Sequence, residues 1–166
     1  QIGNMLRMYQ MSREQKKMQQ KLETLVREIE EKNEVLNFLS ESDALTGCLN
    51  RRGFMEKAVQ MNREYEGKEV VILFADLDHL KEINDCFGHI EGDFAIRRCA
   101  EVLKSAAGKQ SIIGRIGGDE FCAMFPGNAQ DGQKFRERIQ KENLAFNTES
   151  EKPYYVELSA GYHVIR

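Results

Sequence analysis

Two pairs of carboxylates lie next to short apolar runs, at positions where the stability of the fold gives no reason for acidic residues. Asp119 and Glu120 follow a Gly-Gly pair between the apolar runs 112–116 and 121–125. A Gly-Gly pair between two such runs predicts a β-hairpin whose turn uses the positive φ angles that glycine adopts readily. Adjacent acids repel each other and have poor strand propensity, so the turn is either a solvated acidic loop or a functional site.

The second pair, Asp76 and Asp78, follows a continuous apolar run at 70–75, typical of a strand buried on both faces. Carboxylates at the end of such a strand cost free energy unless they are paired or bind a metal. If this strand lies beside the hairpin, Asp76 converges with Asp119 or Glu120. Oxygen ligands without Cys or His favour a hard cation, Mg²⁺ or Mn²⁺, which completes its coordination with water and phosphates. The pattern therefore predicts metal-dependent chemistry on a nucleoside triphosphate.

Several further elements must position these groups. The periodicity predicts helices over 51–65, 79–89, 92–107 and 129–144 and a half-buried strand over 154–164. Lys81, one helical turn past the first acidic site, is either a phosphate ligand or an ordinary solvated lysine. Asp93 has an equally simple structural interpretation as the N-cap of its helix. The chain contains neither a GxxxxGK[ST] loop nor a GxGxxG motif, which excludes P-loop and dinucleotide-binding proteins.

Composition narrows the class of protein. The 166 residues carry a formal net charge of −3, which gives no indication of nucleic-acid binding or of contact with an anionic membrane. No apolar run is long enough to span a membrane, and no signal peptide is recognisable. The four cysteines lack the spacing of zinc sites, so reduced and mostly buried thiols are expected, as is typical of the cytosol.

Residues 1–42 contain no proline and follow a heptad pattern. The two core positions of the heptads are Met8, Gln15, Leu22, Ile29 and Leu36, and Met11, Met18, Leu25, Lys32 and Leu39. Polar residues at such positions can fix register and oligomeric state. The sustained repeat favours a dimeric coiled coil over a single helix packed on its own domain. The predicted organisation is therefore a coiled-coil helix over 1–42 and a globular domain over 43–166.

Four blocks of this domain together resemble the GGDEF family, the diguanylate cyclases. The blocks are Asp43-x-Leu45-Thr46-Gly47-x-Leu49-Asn50-Arg51-Arg52; Phe74-Ala75-Asp76-Leu77-Asp78; Lys81-x-x-Asn84-Asp85-x-x-Gly88-His89-x-x-Gly92-Asp93; and Arg115-x-Gly117-Gly118-Asp119-Glu120-Phe121. The resemblance implies an α+β fold: a five-stranded, ferredoxin-like palm similar to class III nucleotide cyclases, with a mostly antiparallel sheet flanked by helices.

The resemblance also implies a reaction. Two GTP molecules condense into cyclic di-GMP and release two pyrophosphates, with two Mg²⁺ ions at the interface of two facing domains. A homodimer formed through the coiled coil would bring the domains together, and an upstream sensor domain is expected outside this fragment. The expected location is the cytosol, or the cytosolic part of a membrane-anchored receptor, without nucleic-acid or membrane contact by the fragment itself. Two alternatives are a catalytically silent GTP-binding or dimerisation module and a relative that makes a guanine–adenine cyclic dinucleotide.

The metal ligands implied by the resemblance are Asp76, the Leu77 carbonyl, Asp119 and Glu120. Asp76, Asp119 and Glu120 are also the implied catalytic residues, and Glu120 either binds the second metal or helps to deprotonate the 3′-hydroxyl. Lowering the pKa of that hydroxyl is the natural task of the metal.

The implied substrate contacts involve five other residues. Lys81 would meet the phosphates, Asn84 and Asp93 would contact guanine, and Gly117 and Gly118 would leave room for the nucleotide. A carboxylate at Asp93 can accept hydrogen bonds from both N1–H and the 2-amino group of guanine, which adenine does not offer, and this argues against the mixed product.

Two features depart from the family pattern. The RxxD motif of the product-inhibition site is replaced by Gly108 and Ser111, so no feedback inhibition through this primary site is expected. The sequence ends at Arg166, just past the last recognised strand, so we expect that a C-terminal family segment is missing or deleted. Asp78 and Arg115 match family positions and are expected to support the site rather than to act in catalysis.

Overall fold

The computed structural model describes the backbone of residues 1–166 and every side chain except those of Phe38 and Leu39. The elements, in chain order, are α1 (Ile2–Glu41), α2 (Arg51–Glu64), β1 (Val70–Leu77), α3 (Leu80–Phe87), α4 (His89–Ala106), β2 (Ile112–Arg115), β3 (Glu120–Pro126), α5 (Ala129–Glu149) and β4 (Leu158–Ile165). The chain divides into two compact units, Gln1–Ser40 and Glu41–Arg166.

The first unit is a single helix, which confirms the predicted long N-terminal helix. The apolar core positions of the heptads that are described are all exposed in the single chain; they are Met8, Met11, Met18, Leu22, Leu25, Ile29 and Leu36. Leu39, the last predicted core position, lies outside the described side chains. Pairing of two such helices through these side chains remains a prediction. Across the described residues, no helix combines the length and apolarity that a bilayer crossing requires.

The second unit is built on a four-stranded sheet in the order β2-β3-β1-β4, with every neighbouring pair antiparallel. This confirms the α+β class and the antiparallel sheet flanked by helices, although the described strands number four rather than the five that the resemblance implies. β1 lies between β3 and β4, and its central place explains its continuous apolar sequence.

Helices cover the two faces of the sheet unequally. Leu73, Ala75 and Leu77 of β1 face the main core, which α4 and α5 complete with residues such as Leu103 and Ile139. On the opposite face, α2 packs Phe54 and Met61 against Val70, Cys122 and Met124. This second core covers only one end of the face, so Phe74 of β1 is 52% exposed. An open stretch of sheet therefore remains beside the C-terminal end of β1.

Four predicted boundaries are wrong, and one of them is the end of α5, which lies at Glu149 rather than at residue 144. β1 continues through Leu77 because β3 stays paired with it to Asp76 and β4 to Leu77, so Asp76 lies in the strand rather than after it. α4 begins at His89 instead of residue 92, because Gly88, with φ of 88°, ends α3 and starts α4 directly. β4 begins at Leu158 rather than at Tyr154, because the amide of Asn147 exchanges hydrogen bonds with the backbone of Val156 and holds this part of the chain away from β1.

The cysteines agree with the predicted pattern. All four are free thiols, and Cys48, Cys99 and Cys122 are buried while Cys86 is exposed. Burial raises the pKa of Cys99 to about 12 and that of Cys122 to about 11, so these two thiols stay protonated and unreactive near neutral pH.

Candidate functional site

The two acidic sites meet at one edge of the sheet. Asp76 of β1 is the direct cross-strand partner of Glu120 of β3, and both side chains are exposed. The Leu77 amide donates to the Asp119 carbonyl at 2.9 Å, which brings the backbone of Asp119 to the same edge. Like charges placed directly opposite each other destabilise a sheet. The fold thus accepts an unfavourable pair at this edge, as expected where a cation or a positively charged group binds.

The turn before Glu120 differs from the predicted type. Neither Gly117 nor Gly118 has a positive φ angle, so the prediction of a primed two-residue turn is wrong. The amide of Ile116 instead donates to the Glu120 carbonyl at 2.9 Å, closing a wider loop. A β-carbon on Gly117 would overlap the Glu120 carboxylate, whereas Gly118 faces open space. The absence of a side chain at Gly117 therefore lets the Glu120 side chain lie against the turn, and Gly118 leaves the outer side of the turn free.

Arg115 stabilises the backbone of this turn. Its Nε and Nη2 atoms donate to the Gly118 carbonyl at 3.1 and 2.8 Å, and its Nη1 atom contacts both Asp43 carboxylate oxygens at 3.2 and 3.3 Å. The planar guanidinium can serve both partners at once, which the single ammonium of lysine cannot do in the same geometry. We call this arrangement of Asp43, Arg115 and the Gly118 carbonyl the Arg115 bridge. It fixes the backbone of the turn without using the carboxylates at its tip.

Asp43 is itself held firmly. Burial would raise the pKa of its carboxyl, but hydrogen bonds from the Thr46 hydroxyl and amide and the charge of Arg115 outweigh that effect and hold the pKa below its usual value. The Thr46 bonds are 2.7 and 2.9 Å long. Asp43 is thus an anion at neutral pH and a fixed partner for Arg115.

The other predicted site residues lie on α3 and α4. Lys81 is exposed on α3, and Asn84 of the same helix is half-buried. The Asn84 amide packs directly on Gly92 of α4, because a β-carbon at Gly92 would overlap it. Asp93 follows Gly92 and lies in the second turn of α4, whose N-cap is Gly88. Asp93 therefore does not cap the helix, and the structural interpretation of this residue is wrong.

The predicted ligand-binding side chains share one property. Among the side chains that the structure describes, those of Asp76, Lys81, Asn84, Asp93, Asp119 and Glu120 form no hydrogen bond or ion pair. Asp78 differs from them, since the Ser159 hydroxyl contacts both of its oxygens, at 2.9 and 2.7 Å. Polar side chains without protein partners are available to a ligand, whereas Asp78 is occupied in joining β1 to β4.

A cavity of about 410 Å³ lies beside the acidic edge. Asp76 and Glu120 line it together with Phe74, Ile116 and Ser159. Lys81, Asn84, Asp93 and Asp119 do not line this cavity. The structure thus groups Asp76 and Glu120 with the open sheet face, and Lys81, Asn84 and Asp93 with the corner between α3 and α4. The exposed aromatic ring of Phe74 beside the carboxylates escaped the sequence analysis, because the run 70–75 reads as uniformly buried.

The donor set at the acidic edge fits a magnesium ion that is shared with a substrate. No group of three or more His, Cys, Asp or Glu side chains converges on one point among the described residues. Two carboxylates in cross-strand register are nevertheless what Mg²⁺ commonly uses, since phosphate and water oxygens complete its octahedron. The oxygen-only set offers no preference for softer metals.

The family comparison agrees with this fold and site. Residues 40–166 match the family described as diguanylate cyclase, GGDEF domain. The chain belongs to this family of cyclic di-GMP signalling proteins.

The relatives that the chain matches are longer than the matched region. The diguanylate cyclase DgcP of Escherichia coli K12 is 37% identical over 123 residues, which cover 72% of this chain and 36% of DgcP. The chain therefore spans about a third of that relative. The diguanylate cyclase SiaD of Pseudomonas aeruginosa, solved with its activator SiaC, is 26% identical with a TM-score of 0.74, over 96% of this chain and 63% of SiaD.

A second solved structure shows likeness of fold. The coiled coil and GGDEF domain of DgcB from Caulobacter crescentus, in complex with c-di-GMP, has a TM-score of 0.75. It is 24% identical, and the match covers 86% of this chain and 78% of that one.

Proposed function

We propose that this chain is a diguanylate cyclase module that condenses two GTP molecules into cyclic di-GMP and two pyrophosphates. The observation that carries the proposal is the cross-strand pair of Asp76 and Glu120, which faces open sheet without a protein partner beside the Gly117-Gly118 turn. Nothing in the stability of the hairpin explains this pair, whereas a cation bound with a triphosphate does.

Asp76, Asp119, Glu120 and the Leu77 carbonyl would hold Mg²⁺ or Mn²⁺. GGDEF diguanylate cyclases are generally Mg²⁺-dependent. When bound, the metal would neutralise phosphate charge and lower the pKa of the ribose 3′-hydroxyl. Glu120, exposed at the end of β3, would accept or help to remove the proton of that hydroxyl.

The remaining predicted residues would bind and orient GTP. Lys81 would contact the phosphates, and the exposed Gly118 would let them approach the turn. Asn84 and Asp93 would bind guanine, since the Asp93 carboxylate can accept from both N1–H and the 2-amino group. These contacts leave Asp76 and Glu120 free for the reacting end of the nucleotide.

Two copies of the domain would complete the reaction. The 3′-oxygen of each GTP would attack the α-phosphorus of the GTP in the facing copy, forming the new phosphodiester bond as the bond to pyrophosphate breaks. The exposed apolar side chains of α1 would pair two chains and raise the effective concentration of the second domain. The DgcB structure likewise joins a coiled coil to a GGDEF domain.

Regulation follows from the same proposal. A sensor preceding α1 would act by changing the packing of the paired helices. Gly108 and Ser111 provide no charged groups at the positions of the RxxD motif, so product would not inhibit the enzyme through that site.

The test is incubation of the chain with GTP and Mg²⁺, with products separated by chromatography and identified by mass spectrometry. Cyclic di-GMP that disappears in Asp119→Ala and persists in Glu101→Ala, a substitution on the exposed side of α4, would support the cyclase. Metal-dependent GTP binding without product would favour the silent module. The absence of both would overturn the proposal, and a mixed product from GTP and ATP would revise the substrate.

A further inference from the structure

Residues 150–157 cross from the end of α5 to the start of α4 before entering β4. Lys152 Nζ lies 3.0 and 2.7 Å from the two carboxylate oxygens of Glu91, and the Tyr154 hydroxyl donates to Glu91 Oε2. We call Glu91, Lys152 and Tyr154 the Glu91 cluster. It joins chain segments about sixty residues apart and lies outside the groups assigned to the reaction.

The cluster is more buried than a surface ion pair and packs against aromatic rings. The side chains of Glu91 and Lys152 are 29% and 31% exposed, and Lys152 Nζ lies 4.3 Å from the centre of the Phe94 ring. The ring centres of Tyr154 and Phe87 are 5.2 Å apart. Hydrogen bonds from Lys152 and Tyr154 lower the pKa of Glu91, while burial and the Glu91 charge raise that of Tyr154. At neutral pH Glu91 is therefore an anion and Tyr154 a donor.

Both ends of this segment are fixed by backbone contacts. The Asn147 amide group accepts from the Val156 amide at 2.9 Å and donates to its carbonyl at 3.0 Å. The Glu157 carbonyl accepts from the Asp78 amide at 2.9 Å. The segment thus connects the end of β1, next to the acidic edge, with the first turn of α4.

The N-terminal end of that first turn is weakly capped. Its N-cap, Gly88, offers no side-chain hydrogen bond, and the amides of Glu91 and Gly92 reach the Gly88 carbonyl only at 3.2 Å each. Gly92 packs on the Asn84 amide, and Asp93 comes next in the chain. A shift of this turn would therefore move Asp93 relative to Asn84.

We propose that Glu91, held by Lys152 and Tyr154, is a positioning residue that fixes the first turn of α4 and thereby sets the preference of the site for guanine. The inference rests on the proposed function, in which Asn84 and Asp93 bind the base. Glu91 acts through Asp93 and does not touch the nucleotide.

The test is a comparison of binding of 3′-deoxy-GTP and 3′-deoxy-ITP by calorimetry in Mg²⁺, with the 166-residue chain. These analogues lack the hydroxyl nucleophile, and hypoxanthine lacks the 2-amino group of guanine. Glu91→Ala should lower the preference for the guanine analogue by about tenfold, the scale of one charge-assisted hydrogen bond. Lys152→Met should also lower this preference, and Asp93→Ala should abolish it.

Two controls separate positioning from general destabilisation. Glu101→Ala breaks another acid–base pair of α4, with Arg98 at 3.0 Å, and should leave the preference unchanged. Lys152→Arg, which keeps a donor for Glu91, should retain most of the preference. Thermal unfolding of every variant would show whether the protein remains folded.

The outcomes distinguish the two proposals. A wild-type preference that survives Glu91→Ala and Lys152→Met overturns the role of Glu91 and leaves the proposed function intact. Equal loss of affinity for both analogues also overturns it, since a structural defect would act in that way. Wild-type protein that binds neither analogue, or binds both equally, overturns the assigned base contacts and the inference with them.

Discussion

Carboxylates have two opposite roles in the acidic edge and in the α3–α4 corner, and both regions contain both kinds. Asp43 and Glu91 are partly buried, bind Arg115 and Lys152, and have lowered pKa values. Asp76, Glu120 and Asp93 are free of hydrogen bonds and ion pairs in the described part of the molecule. Each region thus contains at least one partnered carboxylate that holds backbone and at least one that remains available.

This division has a physical reason. A carboxylate that is already saturated by hydrogen bonds has little to gain from a ligand, since the ligand must first displace those partners. A carboxylate that must bind a metal or a base is therefore positioned by the backbone beneath it. The Arg115 bridge does this for the turn that ends at Asp119, and we propose that the Glu91 cluster does it for Asp93.

The largest effect on activity is expected at the unpartnered pair of Asp76 and Glu120. Glu120→Gln keeps the shape of the side chain but removes its charge, so formation of cyclic di-GMP should fall by about 10²–10³-fold. In the absence of metal, the free energy of unfolding should stay the same or rise by up to about 1 kcal/mol, because Asp76 no longer faces a like charge. Product analysis and chemical denaturation in a chelator would measure the two quantities.

The matched control for this change is Glu101→Gln. Glu101 is an exposed acid paired with Arg98, and its loss should change stability by less than about 1 kcal/mol and leave activity unaltered. If Glu120→Gln instead destabilises the metal-free protein, Glu120 is a structural residue. The distinction between carboxylates that hold the backbone and carboxylates that remain available for a ligand would then be wrong.

A smaller effect is expected at the Arg115 bridge. Arg115→Lys keeps the charge but cannot donate to both Asp43 and the Gly118 carbonyl in the same geometry. The free energy of unfolding should fall by about 1–3 kcal/mol, because the Arg115 side chain is only 15% exposed and its partners lose a charged donor. Activity should fall about tenfold or more as the turn loosens.

Arg97→Lys, at an exposed position on α4, provides the comparison for Arg115→Lys and should change neither stability nor activity. Full activity in Arg115→Lys would show that the turn needs only a nearby positive charge. The bridge would then contribute electrostatics rather than geometry.

The sequence predicted the acidic edge well because its signals are local. The apolar run before Asp76 and the glycine pair before Asp119 and Glu120 each lie within a few residues, and an antiparallel sheet needs only to pair the two strands. The α+β class follows from the same runs. The carboxylates could therefore be grouped from the order of the residues alone.

The supporting contacts could not be predicted in this way. The partners in Asp43–Arg115, Glu91–Lys152 and Asp78–Ser159 are 72, 61 and 81 residues apart, and no periodic pattern links them. The start of α4 was predicted at residue 92, whereas the positive φ of Gly88 places it at His89, and no local sequence signal distinguishes the two glycines. Sequence thus indicates which polar residues lie together at the sheet edge better than it indicates what holds them in place.

The smallest expected effect is a difference in acid stability between the two kinds of carboxylate. The pKa of Asp43 in the folded state lies below its ordinary value of 3.8, so its contribution to stability is complete above that pH and disappears as the pH falls through the folded-state pKa. Asp43→Asn should therefore be less stable than the wild type at pH 7, and the difference should shrink below about pH 4.

Thermal unfolding from about pH 7 to pH 3 would measure this convergence. The difference in stability between Glu91→Gln and the wild type should also shrink as the pH falls, beginning near the ordinary pKa of 4.5. The reason is that Lys152 and Tyr154 favour the ionised form of Glu91 only in the folded chain. A constant difference across the range would mean that neither carboxylate gains from its charge on folding. The Arg115 bridge and the Glu91 cluster would then hold the backbone by packing alone. Asp43 and Glu91 would differ from Asp76 and Glu120 only in how far their side chains are exposed.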